Sequence, residues 1–559
     1  SLDLAEDSRE KEWKFTSFMA ELFKGSFRWD LIHPFPLQNP DDHHEGDLFL
    51  ARLEEVIKKY IDPEEVDRTS HIPDEAMRAL AEIGAFGIKI PKKYGGLGLS
   101  QVNYNRAIAL VGSYCASTAV LLSAHQSIGV PQPLKMFGTD VQKAKYLPRF
   151  AKGAVSAFAL TEPDVGSDPA RMTTRAEPTE DGQHYIINGT KMWCTNGPIA
   201  DVLIVMARTP SKVVRGKERQ QITAFIVECD TPGFEVLQRC HFMGLHGIEN
   251  GLIKFDNVKV PAENIIGKPG DGLRIALTTL NTGRLTLPAA SSAVNKVCLK
   301  HCREWANNRV QWGTPIAEHE MVAEKLAQIT AITFATEAVT WLTSAMADIG
   351  GADIRLEAAI AKLFATEANW WVMDQALQIR GGRGYESATS LAKRGEKPIP
   401  IERLMRDIRI NRIIEGSSEI MKLFIAREAM DSHFRLAMPL MDSRTSMSDK
   451  VKAGLKAAGH YALWYPKQWL PRFGVGDAQY LDSTNRRHLG YVANSGKRLA
   501  RAIFHAMGRH QQKLEKKQLI MSRLVDIGTD LFAMSSALSY AERLAHENRD
   551  DYSPLDLAD

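Results

Sequence analysis

The sequence is short of the features that mark extracellular, membrane-spanning or nucleic-acid-binding proteins. It holds only six cysteines in 559 residues, Cys115, Cys194, Cys229, Cys240, Cys298 and Cys302, and no CxxC pair. Cys298 and Cys302 stand one helical turn apart, but no His/Cys set at zinc spacing accompanies them. Free thiols in a reducing compartment are therefore expected, and no metal site. No run of about 18 apolar residues exists, which excludes a membrane-spanning helix. An excess of one charge is missing too: 70 Lys and Arg against 67 Asp and Glu leave +3, so no nucleic-acid partner is expected. Ser1–Arg9 is acidic and polar with no signal-peptide hydrophobic stretch, so secretion is not expected.

What is present is ordinary globular composition, 44% hydrophobic and 25% charged. The length exceeds one core, so two to four structural units are expected. Residues 1–45 read as an irregular N-terminal extension, with Pro34, Pro36, Pro40 and the run Asp41-Asp42-His43-His44. Residues 46–155 read as a helical domain, with stripes Leu50, Leu53, Val56, Ile57 and Met77, Leu80, Ile83, Phe86. Residues 156–270 carry β-branched and aromatic runs separated by turn signals at Asp181-Gly182, Asn188-Gly189, Asn196-Gly197-Pro198 and Pro232-Gly233, an antiparallel β domain by pattern. A 3.6-residue period returns over 271–435, and a further helical segment fills 436–559, entered through the polar stretch Asp442–Asp449. The fold class is α+β, mostly α, with the β module between helical ones.

Four motifs carry chemistry. Thr161-Glu162-Pro163-Asp164-Val165-Gly166-Ser167-Asp168 offers hydroxyls, a tight turn and free N–H groups for a phosphate or a polar ring edge, although a decorated turn has the same composition. Trp193 and Thr195 fall on one side of an extended segment, where the first can stack on a planar ring and the second can donate a hydroxyl; a core tryptophan reads the same way. Gly381-Gly382-Arg383-Gly384 closes a helix, so it is no Rossmann fingerprint, and Arg309 stands beside an aromatic at a helix end. Glu415 lies between Ile414 and a helix-breaking Gly416, before a helix that Ser417 or Ser418 can cap and whose core stripe is Ile420, Leu423, Phe424 and Met430. An apolar surround disfavours a carboxylate's charge, which suits a general base, while many glutamates at helix ends are simply solvated.

Taken in order, these motifs resemble the flavin-dependent acyl-CoA dehydrogenases over roughly 46–435. The N-terminal extension, the Ser123–Gly129 run and the extra C-terminal segment look most like the very-long-chain branch. The resemblance implies an N-terminal helical domain, a central β domain and a C-terminal four-helix domain, followed by an extra helical domain, in a homodimer. It implies FAD, with Phe158, Leu160, Thr161, Gly166 and Ser167 along the flavin and its phosphates and Trp193 and Thr195 over the ring. Arg309 and Gln311 would meet the pyrophosphate of the partner subunit's FAD. Gln378, Gly381 and Gly382 would hold the adenosine end, and Ser417, Ser418 and Glu419 would continue the contact. Many relatives carry glutamine where Glu419 stands. Glu415 matches the catalytic base. Members that place the base just before the arginine matching Arg284 find Gly283 there in this chain, and glycine takes no proton. Asn281, Arg284, Ser167 and Gly416 match positions that contact the acyl-CoA.

The implied reaction is α,β-dehydrogenation of a fatty acyl-CoA to the trans-2-enoyl-CoA, with electrons passed to an electron-transfer flavoprotein. An acyl-CoA oxidase and an assembly protein on the same fold are the alternatives. Small residues over Ala116-Ser117-Thr118-Ala119 suit a deep pocket and a long tail, and equally suit close helix packing. The aromatic and basic run Tyr461–Phe473 suits a membrane interface. Pro466 and Pro471 argue against a long amphipathic helix there, so packing onto the body is expected. The expected compartment is the bacterial cytoplasm or, in a eukaryote, the mitochondrial matrix and its inner-membrane face.

Overall fold

The computed structural model describes residues 15–214, 217–351, 353–441, 445–472 and 478–559. Ser1–Arg9, Asp442–Arg444 and Phe473, named above, lie outside the described residues. The chain divides into two compact units. Gln38–Val322 with Asn369–Asn411 belongs to the first; 15–37, Ala323–Ala368 and Arg412–Asp559 belong to the second.

The first unit opens with a helix over Pro40–Tyr60, which begins within the segment expected to be irregular and runs on into the expected helical domain. The correction has a local cause. Asn39 caps the helix, its Oδ1 accepting the N–H of Asp41 at 2.8 Å, and Pro40 sits where its fixed φ and missing N–H suit a first turn. Leu53 and Ile57 are buried in a core with Phe49, Leu80, Phe86, Tyr104 and Leu122, while Leu50 and Val56 pack at its edge. Helices Gln101–Tyr114 and Ala116–Ser123 follow.

The β domain has strands β1 Ser156–Ala159, β2 Arg175–Pro178, β3 His184–Thr195, β4 Val202–Val214, β5 Lys217–Glu228, β6 Phe234–Arg239, β7 Asn250–Pro261 and β8 Ile265–Ile266, in the order β6-β7-β3-β2-β4-β5-β8 with β1 also on β4. It is not purely antiparallel: β1 and β2 both run parallel to β4. Asn188-Gly189 is no turn either. It lies inside β3 at a register shift, where Gly189 has φ +153° and a Cβ would come within 2.7 Å of the Thr174 Cβ. The helical period that begins after the β domain breaks at Leu285 into Gly272–Arg284 and Thr286–Asn308.

The second unit gathers Phe18–Phe23, Ser418–Met441, Met447–Lys467, Ser483–His510 and Gln518–Glu547 with parts of Glu320–Ile349 and Arg355–Arg380. One core holds all of these but Met447–Lys467, with Phe18, Leu22 and Phe23 packed among residues such as Leu342, Ile360, Ile425, Val492, Phe532 and Leu538. In the stripe of Ser418–Met441, Met430 is buried as expected, but in the first turns Met421 and Ile425 are fully buried while Ile420, Leu423 and Phe424 sit at the core's edge. The prolines did not prevent a long helix. Met447–Lys467 takes Pro466 into its last turn, where few i→i−4 bonds remain to lose, and ends before Pro471.

Candidate active site

The Thr161–Asp168 loop is fastened to β3 by a buried ion pair. Lys191 Nζ donates to Glu162 Oε1 at 2.9 Å and to the Leu160 carbonyl at 3.0 Å. Glu162 also accepts from the Thr173 hydroxyl at 2.7 Å and the Thr174 N–H at 3.0 Å. Burial pushes the Glu162 carboxyl up, but Lys191 and these donors outweigh it and hold it at about 2. Lys191 and Glu162 are 0% and 2% exposed. One residue on, the Met192 N–H donates to the Thr161 carbonyl at 2.9 Å, so loop and strand form one rigid ledge.

At that ledge β3 departs from simple alternation. The register shifts between Lys191 and Cys194, and Trp193 takes φ +55°. The expectation that Trp193 and Thr195 share a side by two-residue spacing therefore does not apply. Instead the left-handed residue turns the indole outward, leaving Trp193 53% exposed. Thr195 is half-buried and its Oγ1 accepts from Asn250 Nδ2 at 2.9 Å. Phe158, Leu160 and Thr161 are half-buried, and Gly166 and Ser167 are exposed, with nothing within 4 Å of a Cβ built on Gly166. A stacking ring, hydroxyls and an open glycine turn fit the ring and phosphates of a flavin nucleotide.

An apolar pocket of the first unit is lined by Gly112, Ala116, Ala119, Val120, Leu287 and Ala290 among others. Of the expected floor, Ala116 and Ala119 reach it. Ser117 instead accepts the Gly247 N–H, and Thr118 bonds to Cys115. Arg284 is buried, and its Nη1 donates to Asn281 Oδ1 at 2.7 Å. Arg309 and the glycine-rich loop come together around Trp305, whose ring has the guanidinium carbons of Arg309, Arg380 and Arg383 at 5.8, 4.9 and 5.4 Å. Arg383 also pairs with Glu396, so the positive character suited to phosphate rests on Arg309 and Arg380. Gln378, Gly381 and Gly382 are exposed beside it, Gly381 at φ +59°. Gln311 lies on the short hairpin Val310–Gln311/Thr314–Pro315.

In the second unit, Glu415 sits in a turn with φ +53°, followed by Gly416 at φ +96°. A left-handed non-glycine residue costs about 1–2 kcal/mol, so surrounding contacts must impose it. Oε2 of Glu415 is shielded from solvent. Ser417 caps the next helix, its Oγ accepting the Ile420 N–H at 3.4 Å. Glu419 is exposed, and the N–H donors and hydroxyl of that helix start lower its pKa. The sequence reading missed the residues that hold this turn, Lys362 and Glu367, as it missed the Glu162–Lys191 pair. The available signal was a lysine set in an apolar run, Ala361-Lys362-Leu363.

Sequence profiles of the acyl-CoA dehydrogenase N-terminal, middle and C-terminal domains match residues 43–154, 157–258 and 270–430. The chain belongs to the acyl-CoA dehydrogenase family. It is an enzyme of fatty acyl-CoA oxidation, and FAD is the family's cofactor. A protein named probable acyl-CoA dehydrogenase FadE10 from Mycobacterium tuberculosis is 51% identical over 545 residues, 96% of this chain and 82% of that one. The very long-chain specific mitochondrial acyl-CoA dehydrogenase of Homo sapiens is 33% identical, covering 95% of this chain and 79% of its own length. Among solved structures, an acyl-CoA dehydrogenase complexed with FAD from Bacillus anthracis aligns with TM-score 0.77 at 27% identity over 96% of this chain and 88% of that one. The butyryl-CoA dehydrogenase of Megasphaera elsdenii aligns with TM-score 0.63 at 32% identity, over 70% and 98%. Among the described residues no helix is long and apolar enough to cross a membrane.

Proposed function

We propose that this acyl-CoA dehydrogenase acts on long-chain fatty acyl-CoA, forms the trans-2-enoyl-CoA and passes its electrons to an electron-transfer flavoprotein. The observation that carries the reading is Glu415, half-buried with one carboxylate oxygen shielded from solvent and held in a left-handed turn. The tail-length part rests on the apolar cavity with its small-residue lining and on the very-long-chain relatives. Glu415 removes the pro-R α-proton of the thioester. The N–H of Gly416 donates to the thioester carbonyl and stabilises the charge that develops there. Arg284, Asn281 and Ser167 hold the CoA portion, and the cavity takes the tail and excludes water from it. Phe158, Leu160, Thr161, Gly166, Ser167, Trp193 and Thr195 hold the flavin end of FAD; Arg309, Gln311, Gln378, Gly381, Gly382, Ser417 and Glu419 hold the rest across a homodimer. When bound, FAD supplies the acceptor for the β-hydrogen as hydride.

Anaerobic titration with saturated acyl-CoAs of increasing length tests this. Flavin bleaching deepest with long chains is expected, and Glu415→Gln should keep its yellow colour and lose the bleaching. Undiminished bleaching in that variant rejects the base. Oxygen consumption at the rate of substrate turnover, without an electron-transfer protein, would turn the reading to an oxidase.

A membrane-facing surface is part of the same proposal. Met447–Lys467 exposes Met447, Val451 and Leu455 at four-residue steps, and Trp469 and Leu470 follow, with Lys450, Lys452, Lys456 and Lys467 alongside. Cosedimentation with anionic vesicles is expected, and Leu455→Asp should abolish it without slowing turnover of a water-soluble acyl-CoA.

A further inference from the structure

We propose that Lys362 and Glu367 are positioning residues that hold Glu415 ready for proton abstraction; this rests on the reading of Glu415 as the base. Both lie on the helix Arg355–Arg380, five residues apart, which is about 7.5 Å along its axis. Lys362 is fully buried, and its Nζ donates to the Gly416 carbonyl at 2.8 Å. Glu367 accepts from Arg412 Nε at 2.8 Å and from the Ser418 hydroxyl. The turn is thus tied to one helix at three points: three residues before Glu415, one after it and three after it.

The arrangement answers how the backbone strain at Glu415 persists. Two successive residues with positive φ relax unless the peptides around them are fixed from outside. The bond from Lys362 fixes the plane of the Gly416–Ser417 peptide. A buried ammonium on that carbonyl also strengthens the peptide's own dipole, because the local dielectric is low. Glu367 fixes the two ends, one through a charged pair and one through the residue that opens the helix Ser418–Met441. None of these groups has to touch substrate. Their effect is on where the carboxylate of Glu415 points.

The test separates proton abstraction from hydride loss. An acyl-CoA analogue with sulfur in place of the β-carbon can lose its α-proton but has no β-hydrogen to give. Its α-hydrogen exchange into D2O is followed in the FAD-loaded enzyme, with FAD content, analogue affinity and thermal midpoint measured on the same samples. Lys362→Met should retain FAD and bind the analogue within a few-fold of wild type, yet exchange it on the order of 100-fold more slowly, the scale expected of a displacement of about 1 Å. Glu367→Ala should slow exchange as well, and Glu367→Gln, which still accepts from Arg412 and Ser418, should restore most of it. The Glu367 pair decides the matter if Lys362→Met does not fold. Wild-type exchange in folded Lys362→Met, or equal exchange in wild type and Glu367→Ala, overturns the inference while leaving the base assignment intact. Exchange undiminished by Glu415→Gln overturns the base assignment and this inference with it.

Discussion

The first unit sets its fully buried lysine against a buried glutamate, Lys191 on Glu162, whereas the second carries Lys362 and Glu357 five residues apart on one helix and gives each a neutral group to bond. Glu357 accepts from the Ser17 hydroxyl at 2.6 Å and from the Met19 N–H at 3.0 Å. The consequence is opposite ionisation. Lys191 and its companions keep Glu162 charged at about 2, but burial pushes the Glu357 carboxyl up to about 7. A carboxylate beside the expected flavin ledge stays fixed through the physiological range, while one in the core of the other unit titrates within it.

The largest effect on this contrast should come from removing a cation. Lys191→Met strands a charged Glu162 and is expected to cost about 3–5 kcal/mol, read as a lower urea midpoint together with loss of FAD from the loosened loop. A variant as stable and as yellow as wild type would show that the pair is not what holds the ledge. Next comes pH. Glu357 has a folded pKa above its ordinary 4.5, so its contribution is full below that value and is lost as pH rises toward 7, by roughly 3 kcal/mol. Glu162 runs the other way, its contribution present above 4.5 and lost as pH falls toward 2. Glu357→Gln should flatten the neutral-side slope of stability against pH and leave the acid-side slope unchanged. The smallest change is Ser17→Ala, about 1 kcal/mol by thermal melting. It removes one donor to Glu357 and should move that group's titration to still higher pH.

Much of the frame was legible in the sequence because it depends on local periodicity: the helix–sheet–helix order, the break at Gly416 and the cap at Ser417 all follow from neighbours in the chain. What was not legible depends on distant partners. Asn188-Gly189 has the composition of a turn, and only the approach of Thr174 makes it a bulge. Trp193 looks like an ordinary alternating strand residue, and its outward turn follows from a register shift against β7. Lys362 gives no hint of its acceptor, which lies 54 residues further on. The position of Glu415 could be read from the chain; what holds it there could not.

The bond between Ser17 and Glu357 spans 340 residues, and this bears on how the molecule is made. Nearly all the first unit emerges from the ribosome before the second has more than its opening segment and parts of two helices. At about 5–20 residues per second, Phe18, Leu22 and Phe23 wait tens of seconds for their partners. During synthesis these apolar side chains need shelter that the finished protein does not, so a nascent chain halted before residue 412 should present them to chaperones.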